Sequence, residues 1–234
     1  ETAVDFLEKL NTPIYKIASF EITHLPLIKK VAETKKPIIM STGLASKKEI
    51  KEAVRIAKKN GCPKVILLKC VSAYPTPPSY SNLSLINKMK KDFKVNVGLS
   101  DHTLGIEASI AASSIGVCAI EKHFIDNKRK KTPDSFFSIT PPELKKLVEE
   151  SKKAFILRGH GKYGPSKYEK NSLVFRRSIF VIKDIKTGDK LSNTNIAIIR
   201  PGNGLQPKFM KSVLGKKTKK FLARGTPLKW KDIF

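Results

Sequence analysis

Short apolar runs alternate with helical patterns over the first two thirds of the chain. Five runs rich in Val, Ile and Leu recur at intervals of roughly 20–30 residues, at 14–19, 37–43, 64–70, 95–101 and 117–124. Between them, apolar residues recur three or four positions apart, which is typical of amphipathic helices. Apolar strands that alternate with helices predict βα units and a parallel sheet.

The clearest helix signal lies at 46–59. Ser46 is a suitable N-cap residue, and Glu49 three positions later completes a capping box. One buried stripe is predicted on this helix, formed by Ile50, Val54 and Ala57.

The pattern changes near residue 176. From there on, short strand-like runs alternate with Gly and Asn turns, and no long helix is predicted, which indicates a small β-rich domain. The segment 159–172 is rich in Gly, Lys and Ser, as linkers are. We therefore expect a barrel-type domain at 1–158, a linker at 159–175 and a β-rich domain at 176–234.

Composition narrows the classes of function. The 234 residues carry 46 Lys and Arg against 20 Asp and Glu, a formal net charge of +26. No block of aromatic residues alternates with the basic ones, and no recognition helix stands out, so we expect an anionic small substrate and no nucleic acid. No apolar run reaches the ~18 residues of a membrane span. Three Cys without CxxC spacing exclude a zinc knuckle and favour a reducing cytoplasm.

Polar residues cluster at the end of each predicted strand. In a parallel αβ barrel the carboxyl ends of the strands form the active face, so the clusters predict an active site. The clusters are Lys16 and Ser19; Ser41 and Thr42; Lys69 and Ser72; Ser100, Asp101 and His102; and Glu121, Lys122 and His123.

Two of these clusters suggest a metal-binding site. His102 and His123 lie 21 positions apart, each at a strand end, where two imidazoles on neighbouring strands could share one divalent ion. Asp101 and Glu121 beside them are candidates for further ligands or for residues that orient the imidazoles.

Other strand-end residues suggest an anion site. A lysine and hydroxyl donors can bind a phosphate or a carboxylate, and the candidates are Lys16, Ser19, Ser41 and Ser100. Gly43 and Gly98 would allow close backbone approach, while no Walker loop or GxGxxG motif supports a nucleotide. Cys70 is a possible nucleophile, but its apolar strand favours simple packing.

The motifs together resemble the N-acylneuraminate (sialic acid) synthases. The segments that carry the resemblance, in order, are YKIAS-FE, PIIMSTG, LLKC-SAYP-P, GLSDHTLG, IEKHF, RRSIFVIKDIK-G and RPGNGL-PK. The resemblance implies a TIM barrel followed by a small SAF (antifreeze-like) domain. It also implies the condensation of phosphoenolpyruvate with an open-chain N-acetylated amino sugar, with release of phosphate. ASFEI, PDSFFS and GTPLKW are most similar to the pseudaminic acid branch, and Ser135 stands where sialic acid synthases usually have His.

The resemblance also implies roles for individual residues. His102 and His123 match the pair that holds a divalent ion, Mn²⁺ before Mg²⁺ or Co²⁺, and Glu21 joins them as a catalytic residue. The phosphoenolpyruvate positions are matched by Lys16, Ser19, Ser41 and Ser100. The acceptor-sugar positions are matched by Glu21, Ser72, Tyr74, Asp134 and Arg200. Arg200 would enter the site of the partner protomer, which implies a homodimer with swapped SAF domains.

The family pattern has three more strands before the segment that matches Glu1. We therefore expect a C-terminal portion with five of the barrel's eight βα units, inactive and poorly soluble by itself. Three alternatives stay open: an N-acetylneuraminate or legionaminate synthase, another barrel enzyme such as a 3-deoxy sugar-acid synthase, and a truncated barrel that serves only as a sugar-binding or assembly module.

Overall fold

The computed structural model describes residues 1–129 and 131–234. They form two compact units, Glu1–Gly161 and Lys162–Phe234. No helix of the described residues is long and apolar enough to cross a membrane.

The first unit contains a five-stranded parallel sheet in sequential order. Each predicted run supplies one strand. The strands are β1 (Tyr15–Ile17), β2 (Ile38–Ser41), β3 (Val65–Cys70), β4 (Asn96–Asp101) and β5 (Ile120–Lys122). The helices are α1 (Thr2–Lys9), α2 (Leu25–Glu33), α3 (Lys47–Lys59), α4 (Leu85–Phe93), α5 (Glu107–Ile115) and α6 (Pro141–Leu157). The predicted α/β class is confirmed.

One face of the sheet packs against the helices and forms the main core. Side chains alternate between the two faces along a strand. The strand positions in this core are Tyr15, Ile17, Ile38, Met40, Val65, Leu67, Val97 and Leu99. They meet apolar residues of the helices, among them Ile28 and Ala53, neither of which has measurable exposure. Each large aliphatic side chain buried in this way contributes about 1.5–3 kcal/mol.

The start of α3 follows the predicted capping box. Ser46 Oγ accepts a hydrogen bond from the Glu49 backbone N–H at 3.3 Å, and Glu49 Oε2 accepts one from the Ser46 N–H at 2.7 Å. The predicted stripe of Ile50, Val54 and Ala57 is buried. The local sequence alone therefore determines where this helix begins and which face it buries.

The second unit is a β-type domain, as predicted. Its regular strands are short, and isolated β-bridges connect its loops. Two antiparallel strands, β6 (Ser178–Val181) and β7 (Ile196–Ile199), precede a single turn of helix, α7 (Met210–Val213). Isolated bridges such as Ile185 to Leu222 connect the remaining loops. Its core consists of Ile179, Val181, Ile185, Leu191, Ile196, Val213, Leu222, Leu228 and Ile233.

We predict that Ser46→Ala lowers the free energy of unfolding by about 1 kcal/mol, because an N-terminal N–H of α3 loses its acceptor. Urea denaturation followed by far-UV circular dichroism measures the change. Lys48→Ala, an exposed substitution in the same turn, is the control. Equal midpoints for the two variants would contradict the predicted role of the cap.

Candidate active site

The strand register gathers polar side chains on the concave face of the sheet. Cys70 pairs with Ser100, and Ser100 pairs with Glu121, so these three residues form one row across β3, β4 and β5. Ser41 is the last residue of β2, and the side chain of the preceding residue, Met40, faces the helical core. Alternation therefore directs Ser41 to the concave side.

An ion pair joins the two edges of the sheet. Lys16 Nζ, on β1, lies 3.4 Å from Glu121 Oε1, on β5. In a flat sheet the first and fifth strands would be about 19 Å apart, too far for these side chains to meet. The sheet is therefore curled into part of a barrel. Ser100 Oγ donates to the same Glu121 oxygen at 2.8 Å.

Ser19 lies at the centre of a second contact group. Its Oγ accepts a hydrogen bond from the Gly43 N–H at 3.0 Å and donates to Cys70 Sγ at 3.4 Å. A Cβ on Gly43 would overlap Ser72 Oγ and lie 2.8 Å from Ser19 Oγ. The side chains of Ser19 and Ser72 therefore occupy the space that a Cβ at this position would need, and close approach of the Gly43 backbone to a ligand stays a prediction.

Ser41 differs from the other serines of the site. It is buried, with 2% exposure, and its Oγ has no hydrogen-bond partner among the described residues. A buried hydroxyl without a partner costs free energy in the absence of a ligand. Such a hydroxyl on the concave face is available as a donor to a bound anion.

The two predicted imidazoles lie side by side next to this row. The ring centroids of His102 and His123 are 5.2 Å apart. His102 Nδ1 is 2.8 Å from the Val71 carbonyl oxygen, and His123 Nδ1 is 3.4 Å from Asp134 Oδ2.

The Tyr74 ring packs against His102, with centroids 4.2 Å apart. The buried Phe137 ring lies 4.9 Å from His123. Nothing in the sequence analysis pointed to Phe137, because an aromatic residue within PDSFFS carries no chemical signal of its own.

The two imidazoles differ in their electrostatics. Burial and the neighbouring His102 hold the pKa of His123 below its usual value. Burial opposes protonation of His102 as well, but contacts with Cys70 and the Val71 carbonyl outweigh it and raise the pKa of His102. His123 is therefore more readily neutral than His102, and the neutral imidazole is the form that binds a metal ion.

Cys70 is buried, as expected for a packing residue, but its surroundings are polar. Sγ lies 3.9 Å from Ser72 Oγ and 3.9 Å from His102 Nδ1. Although burial opposes ionisation, His102 and Ser19 lower the pKa of the Cys70 thiol to about 7. Its place in the row with Ser100 follows from strand register, which the isolated sequence of β3 does not reveal.

Asp101 points away from the concave face, so it is not placed to be a metal ligand. Its carboxylate lies 2.9 Å from Lys122 Nζ, and both side chains are buried, at 2% and 3% exposure. Thr103 and Ser109 donate the other hydrogen bonds to it. Since residues alternate, Asp101 and Lys122 must face the helices when His102 and His123 face the concavity. The interpretation of Asp101 as a ligand was wrong for this reason.

Two imidazoles supply only part of a coordination sphere. Glu121 is occupied by Ser100 and Lys16, and no group of three or more His, Cys, Asp or Glu among the described residues could hold a metal ion. The imidazole nitrogens of His102 and His123 fit a divalent transition metal that would take its remaining ligands from water and substrate.

Two predicted residues remain outside these contacts. Glu21 ends a 3₁₀ turn at Ser19–Glu21, close to the site along the chain, and within the part of the chain that the structure describes no side-chain hydrogen bond or ion pair joins it to the row. Arg200 belongs to the second unit, where it is exposed after β7. Their roles stay predictions.

A curled parallel sheet with polar strand ends on its concave face defines an αβ-barrel type of enzyme site. The model of the NeuB family matches residues 1–163, and the model of the SAF domain matches residues 176–233. The chain therefore belongs to the NeuB family, as the sequence motifs predict.

Several relatives are similar over most of the chain. A pseudaminic acid synthase of Helicobacter pylori is 46% identical over 99% of this chain and 68% of its own length. An N,N'-diacetyllegionaminic acid synthase of Campylobacter jejuni is 42% identical over 92% of this chain and 65% of its own length. The crystal structure of the spore coat polysaccharide biosynthesis protein SpsE of Bacillus subtilis matches with a TM-score of 0.65 and 34% identity, covering 100% of this chain and 71% of the other.

We predict that Lys122→Met lowers the free energy of unfolding by about 3–5 kcal/mol, because it leaves the Asp101 carboxylate buried without its counter-charge. Chemical denaturation measures the loss. Lys16→Met, in a half-exposed ion pair, should change stability by only about 0–1 kcal/mol. The double variant Asp101→Asn, Lys122→Met should recover part of the loss. Equal effects of Lys122→Met and Lys16→Met would contradict this account.

Proposed function

We propose that this protein is a nonulosonic acid synthase, and specifically a pseudaminic acid synthase. It condenses phosphoenolpyruvate with an open-chain N-acetylated amino sugar: C3 of phosphoenolpyruvate bonds to the aldehyde carbon, water adds at C2, and phosphate leaves. The observation that carries the proposal is the group of donors on the concave face beside the imidazole pair. Membership of the NeuB family and the pseudaminic acid synthase relatives support the same reaction.

Phosphoenolpyruvate would bind along the row of strand ends. Lys16 supplies a positive charge, and the hydroxyls of Ser19, Ser41 and Ser100 supply donors. An arriving phosphate would compete with Glu121 for Lys16 and Ser100, and would give Ser41 the partner it lacks. Donors positioned before the reaction stabilise charge without reorganisation.

His102 and His123 would hold the divalent ion, with Mn²⁺ expected before Mg²⁺ or Co²⁺. When bound, such an ion would supply Lewis acidity towards the aldehyde oxygen of the acceptor. The Val71 carbonyl fixes His102 through Nδ1, and Asp134 lies where it can orient His123. Tyr74 and Phe137 flank the imidazoles and limit the access of water.

The acceptor sugar would lie beside the imidazoles, where Tyr74 packs on His102 and Asp134 lies near His123. Ser72, close to Cys70, would reach it from the row of strand ends. Glu21 is proposed as a catalytic carboxylate close to it. Arg200 is proposed to enter the site of a partner protomer in a swapped homodimer. If mixing an Arg200 variant with a His102 variant restores no activity, that arrangement is wrong.

A legionaminate synthase is the second candidate, since a legionaminic acid synthase is almost as similar in sequence. The segments ASFEI, PDSFFS and GTPLKW, which are most similar to the pseudaminic acid branch, favour the first candidate. We place the reaction in the cytoplasm, where free thiols such as the exposed Cys118 persist. In the described sheet, β1 and β5 each have an unpaired edge, so the site would open to water on that side, and we expect residues 1–234 alone to be inactive.

We therefore predict activity for a chimera in which residues 1–234 replace the matching two thirds of the Helicobacter pylori pseudaminic acid synthase. Phosphate release from phosphoenolpyruvate, with Mn²⁺ and the acceptor of that enzyme, measures turnover. His102→Ala and His123→Ala should each lower kcat by at least about 100-fold, because the metal loses a ligand. Lys48→Ala is the matched control. Activity with the legionaminate acceptor alone would exclude the pseudaminic acid assignment, and full activity of the double His variant would exclude the metal site.

We also predict that Ser41→Ala raises or leaves unchanged the free energy of unfolding, while weakening phosphoenolpyruvate binding about tenfold. The substitution removes a buried hydroxyl that lacks a partner in the free protein but donates to the ligand, a contact of about 1–2 kcal/mol. Denaturation and calorimetric titration with phosphoenolpyruvate measure the two effects. A destabilised variant with unchanged affinity would show that Ser41 has a purely structural role.

A further inference from the structure

The second unit contains a cavity that the proposed reaction does not use. Its volume is about 560 Å³, within the size range of small-molecule sites. Two segments line it, one before β6 and one after β7. Its polar and glycine positions are Arg176, Arg177, Gly202, Gly204, Gln206 and Lys208.

Backbone contacts hold these two segments together. The Gly202 N–H donates to the Val174 carbonyl at 2.8 Å, and the Gly204 N–H donates to Ser178 Oγ at 2.9 Å. A Cβ on Gly202 would lie 2.9 Å from the Leu173 carbonyl oxygen, and one on Gly204 would lie 2.5 Å from the Ile179 carbonyl oxygen. The glycines of RPGNG thus permit the close approach that forms the wall of the cavity.

The cavity has cations without counter-charges. Arg176, Arg177 and Lys208 line it, and no ion pair joins any of them to a carboxylate among the described residues. The carboxylate side chains of this unit accept backbone hydrogen bonds elsewhere. They are Glu169 from Ser166, Asp184 from Arg224, Asp189 from Lys186 and Asp232 from Lys229. Among the described residues, the Asp and Glu side chains of this unit thus leave the three cavity cations without a directly paired carboxylate.

We propose that this cavity binds the oxyanion group, phosphate or carboxylate, of a small organic molecule. Two guanidinium groups present planar pairs of donors that match such oxygens, and a lysine adds a point charge. The volume exceeds that of a lone phosphate, and Leu173 and Pro207 supply apolar wall for an organic body. All lining residues belong to the second unit, and none of them is a residue of the concave face, so the proposal rests on observations independent of the proposed reaction.

The test is an NMR titration of the full 234-residue chain labelled with ¹⁵N. Lys16→Ala is used as the background, so that anion binding at the concave face is weakened. The probes are inorganic phosphate and N-acetylneuraminate, and neutral N-acetylmannosamine controls for the sugar. We expect saturable shifts of the Gly202, Gly204 and Gln206 amides with the anions and none with the neutral sugar.

Charge-matched variants distinguish a specific anion-binding site from non-specific attraction to the positive charge of the protein. Arg176→Gln with Arg177→Gln should weaken anion binding at least about tenfold, because two guanidinium groups are lost. Lys183→Gln with Lys231→Gln removes the same charge at exposed positions outside the cavity. Tighter binding of N-acetylneuraminate would assign a sugar carboxylate, and binding of phosphate alone would assign a phosphate group. Absence of saturable shifts at these amides, or an equal loss in the two double variants, would overturn the proposal.

Discussion

The register of the parallel strands is the constraint on which the site depends. Each strand can direct alternate residues to only one face. Once Ile38, Met40, Leu67 and Leu99 pack into the helical core, their neighbours must face the concavity. A shift of one residue in β4 would bury His102 among the helices and expose Asp101, with loss of the ion pair to Lys122. The hydrophobic core and the chemistry of the site are therefore specified by the same alternation.

The site shows several features that packing alone would not favour. Three of these features each lower the stability that the same positions could provide. They are the buried Ser41 hydroxyl, which has no partner among the described residues, the pairing of Lys16 with a half-exposed carboxylate, and the contact between the two imidazoles. Proteins retain such features where a ligand will satisfy them. By contrast, in the buried pair of Asp101 and Lys122 both carboxylate oxygens accept hydrogen bonds and the ammonium group has two acceptors. The imidazoles proposed to bind a ligand are thus backed by an ion pair whose hydrogen bonds are already formed within the protein.

Much of this organisation is predictable from the sequence, because local signals determine it. The five strands, the capping box of α3 and the polar strand ends all depend on periodicity or on residues a few positions apart. The partners of Cys70 and Lys122 depend on strand pairing over intervals of 20 residues or more, and no local pattern contains that register. The second unit is harder to predict for a related reason, since glycine-dependent contacts such as Gly204 with Ser178 replace regular strands there.

The contact between Lys16 and Glu121 also connects the two edges of the sheet to the charge of the anion site. The two residues belong to opposite edges, and their ion pair spans the opening between them. An anion that binds Lys16 competes with Glu121 for the same positive charge. By linkage, the ion pair weakens anion binding by the same factor by which a bound anion weakens the ion pair.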